Sequence, residues 1–253
     1  WEAGDRETLD LWKIMNSWAL KGFDETYNRM GISFDKIYYE SGTYILGRDM
    51  VEKGLSRGVF QRREDGAIYA DLEKYGLGKK VLLRADGTSV YITQDLGTTM
   101  LKYSDFHPDE QIWVVGDEQI HHFKTLFAVL KELGFEWADK LHHLSYGMVN
   151  LPSGRMKSRE GTVVDADGLF DEMFALAKTA AIERLDGADA PEDLQERAEA
   201  IGMGALKFML LKFNSKTTMT FDPQASLKFE GDTGPYIQYA CARINSILRK
   251  CSD

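Results

Sequence analysis

In the first third of the chain, the pattern of hydrophobic and polar positions predicts a helix, a strand and a β-hairpin. Apolar residues from Leu11 recur at helical spacing, and the aromatic segment 34–39 favours a strand. Apolar runs on either side of the turn signal Glu64-Asp65-Gly66 predict a β-hairpin. Residues 1–78 are therefore expected to form a mixed α+β unit. Its predicted aromatic core residues are Trp12, Trp18, Tyr38 and Tyr39.

From Val81 the pattern changes to alternating strands and helices, which is typical of a parallel sheet in an α/β fold. Short apolar runs predict buried strands at 81–83, 90–92, 112–115 and 141–149. Helical spacing predicts helices at 119–133, 201–214 and 236–250, with a loop at 186–191. A sheet of this kind binds ligands beyond the carboxyl ends of its strands.

Composition and charge narrow the class of protein. The 253 residues are 43% hydrophobic and 28% charged, which is ordinary for a globular protein with a real core. A net charge of -9 argues against non-specific coating of nucleic acid, although local basic patches could still hold a specific RNA. No signal peptide or membrane-spanning apolar run is found, so no membrane partner is expected.

Cysteine usage and the chain ends add two expectations. Cys241 and Cys251 lie on one predicted helix and cannot form a disulfide there, so free buried thiols and a cytoplasmic location are predicted. The chain starts at Trp1 and stops within a helical pattern, which suggests a fragment of a longer protein.

Polar residues near the ends of two predicted strands are the candidate ligand-binding groups. If Tyr91 ends a strand and Asp95 opens the next helix, both face one pocket, and an uncovered carboxylate there calls for a cationic ligand. On spacing alone, Asp95 is more simply explained as a helix cap. Gln119, after the next strand, could bind a ligand or cap the following helix.

A glycine-flanked loop at 151–162 carries cations at alternate positions. Arg155, Lys157 and Arg159 could converge on a polyphosphate, or could belong to a solvated surface loop. No Walker loop and no GxGxxG dinucleotide motif is found. The histidine pairs at 121–122 and 142–143 are adjacent residues, which is poor geometry for a metal, so no metal site is predicted.

Several sequence motifs, taken together with their order and spacing, resemble those of the arginyl-tRNA synthetases, a class I aminoacyl-tRNA synthetase family. Early words are Trp1-Glu-Ala-Gly-Asp, Leu11-Trp-Lys-Ile-Met-Asn and Tyr38-Tyr-Glu-Ser. Central words are Tyr91-Ile-Thr-Gln-Asp95 and Val115-Gly-Asp-Glu-Gln-Ile-His-His-Phe. Gly154-Arg-Met-Lys-Ser-Arg resembles the KMSKS loop, and Gly231-Asp-Thr-Gly-Pro-Tyr resembles the entry to the anticodon-binding domain.

The resemblance implies an ATP-dependent arginine–tRNA ligase that uses L-arginine, ATP with Mg²⁺, and tRNA(Arg). It assigns the arginine side chain to Tyr91, Asp95 and Gln119, and catalysis to Lys157 and Arg159. It assigns ATP to Gly116, His122, Met148, Arg155, Met156, Lys157 and Ser158. A guanidinium suits this set, because its rigid fork of donors pairs bidentately with a carboxylate.

The resemblance also implies a domain order. Residues 1–78 correspond to an insertion, 79–165 to the second half of a Rossmann-like nucleotide-binding fold, 166–230 to a helical connection, and 231–253 to the start of the anticodon-binding domain. The sequence departs from the family at Ser158, where the KMSKS loop has its second lysine, and it lacks the HIGH motif. We therefore expect the chain alone not to charge tRNA.

Two other functions stay open at this point. A class I nucleotidyl transferase for another amino acid would need a pocket without the Asp95 charge. A non-catalytic RNA-binding or regulatory paralogue would explain the altered KMSKS-like word, but it would not need the set Tyr91, Asp95 and Gln119.

Overall fold

Helices dominate the computed structural model, which describes residues 4–150, 165–185 and 187–251. The helices are α1 (Arg6–Met30), α2 (Glu40–Ser56), α3 (Tyr91–Phe106), α4 (Ile120–Glu132), α5 (Ala166–Glu183), α6 (Leu194–Leu211), α7 (Pro223–Ser226) and α8 (Gly234–Cys251). The strands are β1 (Gln61–Arg62), β2 (Ile68–Asp71), β3 (Lys79–Leu83), β4 (Gln111–Gly116), β5 (Leu141–Tyr146), β6 (Val149–Asn150) and β7 (Met219–Thr220).

The described residues fall into two compact units. The first draws on the described residues within the ranges 1–35, 149–214 and 218–253, and the second comprises 36–148 with 215–217. The domain order expected from the sequence, with boundaries at 78, 165 and 230, stays a prediction.

The second unit combines an antiparallel and a parallel sheet. β1 and β2 form the predicted hairpin, and β3 pairs antiparallel with β2. β4 pairs parallel with β5, from Gln111 opposite Leu141 to Gly116 opposite Tyr146. The core of this unit includes the fully buried side chains of Leu72, Leu82, Leu96, Leu126 and Leu130. The prediction of an α/β fold with a parallel sheet is confirmed.

One predicted strand is wrong. Residues 90–92 do not form a strand, because Val90 is the N-cap of α3 and Tyr91 is its first residue. The β-branched and aromatic residues there favour a strand locally. However, Ile92, Leu96 and Thr99 are spaced by four and three residues and are all buried, so a helix places one continuous face in the core.

The predicted core of the first 40 residues is also wrong. The expected helix exists as α1, but none of its residues is buried in the described structure, and Trp18 is 69% exposed. Segment 34–39 forms no strand, and Tyr39 is exposed while Tyr38 is half-buried. Helical spacing fixes which residues share a face, but it does not say what covers that face.

The first unit is built on the packing of α5 against α6. A Cβ at Gly202 would lie 2.8 Å from the carbonyl oxygen of Met173, so these helices approach closely at that point. Met173, Ala198 and Leu206 are buried in its core. Helix α8 carries Cys241 and Cys251 as free thiols, but both are exposed, so the expectation of buried thiols is wrong.

Hydropathy of the helices bears on membrane association. Among the residues that the structure describes, no helix combines the length and the apolar character needed to span a bilayer.

Candidate active site

Helix α3 contacts strand β3 and helix α2 through backbone atoms of those elements. The buried hydroxyl of Thr93 donates a hydrogen bond to the carbonyl oxygen of Leu82 in β3. Gly47 in α2 leaves no room for a side chain, because a Cβ there would overlap the Thr93 carbonyl group. A Cβ at Gly97 would in turn overlap the carbonyl oxygen of Thr43. These contacts determine where the first turns of α3 present their outward side chains.

Asp95 lies within α3, as its fifth residue, and is not its N-cap. The capping interpretation of this residue is therefore wrong. Its Oδ2 lies 2.5 Å from Nε2 of His122, which is in the first turn of α4. The side chains are 32% and 19% exposed, respectively, so the carboxylate is partly buried yet open to a ligand. Because an ionised carboxylate only accepts hydrogen bonds, Nε2 of His122 is the donor.

The segment between β4 and α4 provides the other edge of the site. β4 ends at Gly116, a short 3₁₀ turn spans Asp117–Gln119, and α4 begins at Ile120. Gln119 occupies the N-cap position of α4, but its side chain makes no capping hydrogen bond and is exposed. The carboxylate of Asp95 thus lies beside the first turn of α4, where the helix dipole stabilises an anion.

Tyr91 is the first residue of α3 and is 81% exposed. The prediction that Tyr91 ends a strand is therefore wrong. Yet Tyr91 and Asp95 remain on one face, because residues four apart in a helix lie one above the other. Tyr91 and Asp95 therefore share one face because both belong to α3, and not because a strand leads into a helix.

Lys102 is a neighbour of the site that was not among the residues predicted from the sequence. It lies two turns beyond Asp95 on α3, and its Nζ is 3.9 Å from the centre of the Trp113 ring. Burial lowers the pKa of the Lys102 ammonium, and the charge of Asp95 opposes that shift. The seven-residue spacing from Asp95 was a usable signal, since it returns to the same helix face.

The residues expected to bind ATP are only partly described. Gly116 lies at the end of β4, where a Cβ would make an ordinary contact, 3.8 Å from Tyr146. Met148 is half-buried, just after β5. Arg155, Met156, Lys157, Ser158 and Arg159 lie outside the described residues. Within the ranges 4–150, 165–185 and 187–251, no cluster of three or more His, Cys, Asp or Glu side chains could hold a metal.

Similarity to curated proteins covers the chain from end to end. An arginine–tRNA ligase of Bacteroides fragilis is 54% identical over 255 aligned residues, which cover 100% of this chain and 42% of that protein. An arginine–tRNA ligase of Treponema denticola is 56% identical over 253 residues, covering 99% and 42%. The chain thus spans less than half the length of these relatives.

Solved structures give the same picture of the fold. Thermus thermophilus arginyl-tRNA synthetase matches with a TM-score of 0.75 and 28% identity, over 90% of this chain and 44% of that one. A Plasmodium falciparum arginyl-tRNA synthetase matches with a TM-score of 0.83 over 98% of this chain and 42% of that one. At 24% identity, this second match speaks for the fold alone. The predicted class I synthetase fold is confirmed.

A family model bears directly on the identity of the chain. The model described as tRNA synthetases class I (R), catalytic domain, matches residues 1–223. That range includes every candidate site residue, from Tyr91 to Arg159. The chain therefore belongs to the class I (R) tRNA synthetase family, the arginyl-tRNA synthetases.

Proposed function

We propose that this chain belongs to an arginine–tRNA ligase and supplies its arginine-binding pocket. In the first step, a carboxylate oxygen of L-arginine attacks the α-phosphorus of ATP, which forms arginyl-adenylate and releases pyrophosphate. In the second, a ribose hydroxyl at the end of tRNA(Arg) attacks the acyl carbon and AMP leaves. The relatives from Bacteroides fragilis and Treponema denticola are both named arginine–tRNA ligase.

The observation that carries the proposal is the state of the Asp95 carboxylate. Oδ2 is paired with His122, and Oδ1 has no hydrogen-bond partner in the part of the chain that the structure describes. A partly exposed anion beside a helix N-terminus can accept a guanidinium, which has five donors and no acceptor. L-Citrulline lacks the charge and lysine lacks the planar fork, so this arrangement favours arginine over both.

Two further residues are proposed to complete the arginine site. Tyr91 shares the helix face of Asp95 and is exposed, so its hydroxyl is open to a ligand. Gln119 is exposed at the start of α4, and its amide is not engaged in capping. Both can add hydrogen bonds that orient the arginine and bring its carboxylate to the ATP.

For ATP we propose Gly116 and Met148 near the ends of β4 and β5, together with Arg155, Met156, Lys157 and Ser158. Lys157 and Arg159 are proposed to neutralise the phosphate charge that develops during adenylate formation. We assign Mg²⁺ no ligand among the described residues, which offer no cluster for it, and expect it to arrive bound to the phosphates of ATP.

Calorimetric titration of this chain with L-arginine tests the pocket directly. We expect binding of L-arginine, no binding of L-citrulline, and loss of arginine binding in Asp95→Asn. The matched control is Asp109→Asn, a change of the same kind at an exposed residue in the loop before β4. That control should bind arginine normally, and circular dichroism should show that both variants are folded.

The whole protein tests the activity. Its ATP–pyrophosphate exchange, assayed with tRNA(Arg) present, should depend on arginine and should fall at least about 100-fold in Asp95→Asn, which corresponds to about 2.7 kcal/mol. Exchange that depends equally on another amino acid would reject the arginine assignment. A whole protein that binds tRNA(Arg) but shows no exchange would favour the non-catalytic paralogue.

A further inference from the structure

We propose that His122 is a positioning residue for Asp95, and that it acts on arginine recognition and not on ATP. The inference rests on the proposed function of this site and deepens it. Sequence similarity had suggested only that His122 belongs to the nucleotide site. The geometry instead points to an imidazole that holds one oxygen of the carboxylate and leaves the other for the guanidinium.

The contact between the two side chains is close. Nε2 of His122 lies 2.5 Å from Oδ2 of Asp95, although the residues belong to different helices and are 27 positions apart. An aspartate carboxylate on a helix surface can rotate about its terminal bond, and that freedom is lost when a ligand is bound. A hydrogen bond that fixes its plane beforehand reduces the entropy lost on binding arginine.

The surroundings of the imidazole make it a well-fixed donor. Its side chain is 19% exposed, and its ring meets the ring of Phe123 edge-on at 5.5 Å between centroids. Phe123 is buried in the core of the second unit, so its position is fixed by packing. The adjacent His121 is exposed and its ring has no described partner of this kind, which makes it a natural control.

The contact between Asp95 and His122 also leaves one carboxylate oxygen for the ligand. The Nε2–H group of His122 occupies one lone pair of Oδ2 and leaves Oδ1 free of described hydrogen bonds. Oδ1 then remains available for the cationic guanidinium. Lys102, two turns along α3, has its ammonium over the Trp113 ring, and no ion pair joins it to Asp95 in the described structure.

The test uses arginine-dependent ATP–pyrophosphate exchange by the whole protein, with tRNA(Arg) present and each substrate varied in turn. His122→Ala should raise KM for arginine about tenfold, which corresponds to about 1.4 kcal/mol and fits a hydrogen bond to a charged group. KM for ATP should stay within about twofold of the wild type, because His122 is not expected to contact ATP.

Two conservative variants supply a sharper readout. The amide nitrogen of a glutamine at position 122 can reach the place of Nε2, so His122→Gln should restore KM for arginine to within about threefold of the wild type. In His122→Asn the amide stands closer to the place of Nδ1, so this variant should behave like His122→Ala. His121→Ala should change neither KM. Thermal melting should confirm that all variants are folded.

The outcomes separate the inference from the function it rests on. A rise in KM for ATP alone would overturn the inference and support a nucleotide role for His122. Equal effects of the glutamine and asparagine variants, or no effect of any variant, would also overturn it. The proposed function is judged separately, by arginine dependence of the wild type and its loss in Asp95→Asn.

Discussion

Gly47 of α2 lies directly against the backbone of Thr93 in α3, with no space for a Cβ between them. Gly97 makes the reciprocal approach to Thr43, so the two helices cross on their backbones. Asp95 lies between the two contact points on α3 and faces α4. The small residues at this crossing therefore allow α3, which carries Asp95, to approach α2 this closely.

Alanine at this crossing should destabilise the fold. Gly47→Ala forces α2 away from α3, and such overpacking is expected to lower the free energy of unfolding by about 2 kcal/mol or more. Gly42→Ala, in the same helix, has open space around its Cβ and should be neutral or stabilising by up to about 1 kcal/mol. Urea denaturation of this chain measures both. A Gly47→Ala protein as stable as wild type would show that α2 and α3 are not this close.

Arg29 should be an important ion-pairing residue of the first unit. Its Nε lies 2.8 Å from Glu199, its Nη1 lies 2.7 Å from Asp171, and its guanidinium stacks over Phe170. Arg29→Ala is expected to lower the free energy of unfolding by about 1–2 kcal/mol. A partly buried guanidinium with two carboxylate partners contributes more to stability than an exposed ion pair. Lys21→Ala, which removes an exposed pair on the same helix, should cost less than about 0.5 kcal/mol. Similar values for the two variants would contradict this ranking.

Glu132, at the end of α4, should make stability depend on pH in the acid range. Desolvation raises the pKa of its carboxyl, but hydrogen bonds from Lys74 and Tyr75 outweigh that effect and lower the pKa overall. A carboxyl with a lowered pKa in the folded state stabilises the protein above its ordinary value of 4.5. That contribution is lost as the pH falls through the lowered folded value.

Glu132→Gln should therefore cost about 1 kcal/mol at pH 7, and the difference from wild type should shrink as the solution is acidified below pH 4.5. Unfolding free energies from urea titrations at several pH values measure this trend. Glu73→Gln is the control, because Glu73 is exposed and lies beside the same contact. A Glu132→Gln penalty that is constant or grows toward low pH would refute the assigned cause.

The outer face of the parallel pair β4–β5 should promote self-association of this chain. Ile112 and Val114 are 60% and 63% exposed, and Leu144 and Tyr146 on the neighbouring strand are exposed as well. Parallel sheets normally have both faces covered, so this surface is expected to seek apolar cover. Sedimentation velocity should show larger species as concentration rises.

The double variant Ile112→Thr, Val114→Thr keeps the β-branched shape but removes apolar atoms, and it should shift the distribution toward monomer. Leu211→Gln, at an exposed site in α6, should leave the distribution unchanged. A wild-type chain that stays monomeric at all concentrations would dispose of this prediction.

Local pattern was enough to identify helices α1, α4 and α8 and the α/β class. The spacing of Leu11, Ile14, Met15 and Trp18 predicts α1 correctly, because helix periodicity is a property of neighbouring residues. The hairpin around Asp65 and Gly66 was also predicted correctly, because its turn signal lies in neighbouring residues. The motifs between Trp1 and Gly231, taken together, also indicated the family, and that resemblance implied the candidate arginine ligands before any contact was known.

Only the tertiary structure decided which side chains meet. Residues 90–92 favour a strand locally, yet burial of Ile92, Leu96 and Thr99 makes them the start of a helix. The contact of Asp95 with His122, and that of Lys102 with Trp113, join residues that are distant in the chain. Such pairs depend on how helices pack, and here the packing of α3 is set by backbone contacts at Gly47 and Gly97, which no local periodicity encodes.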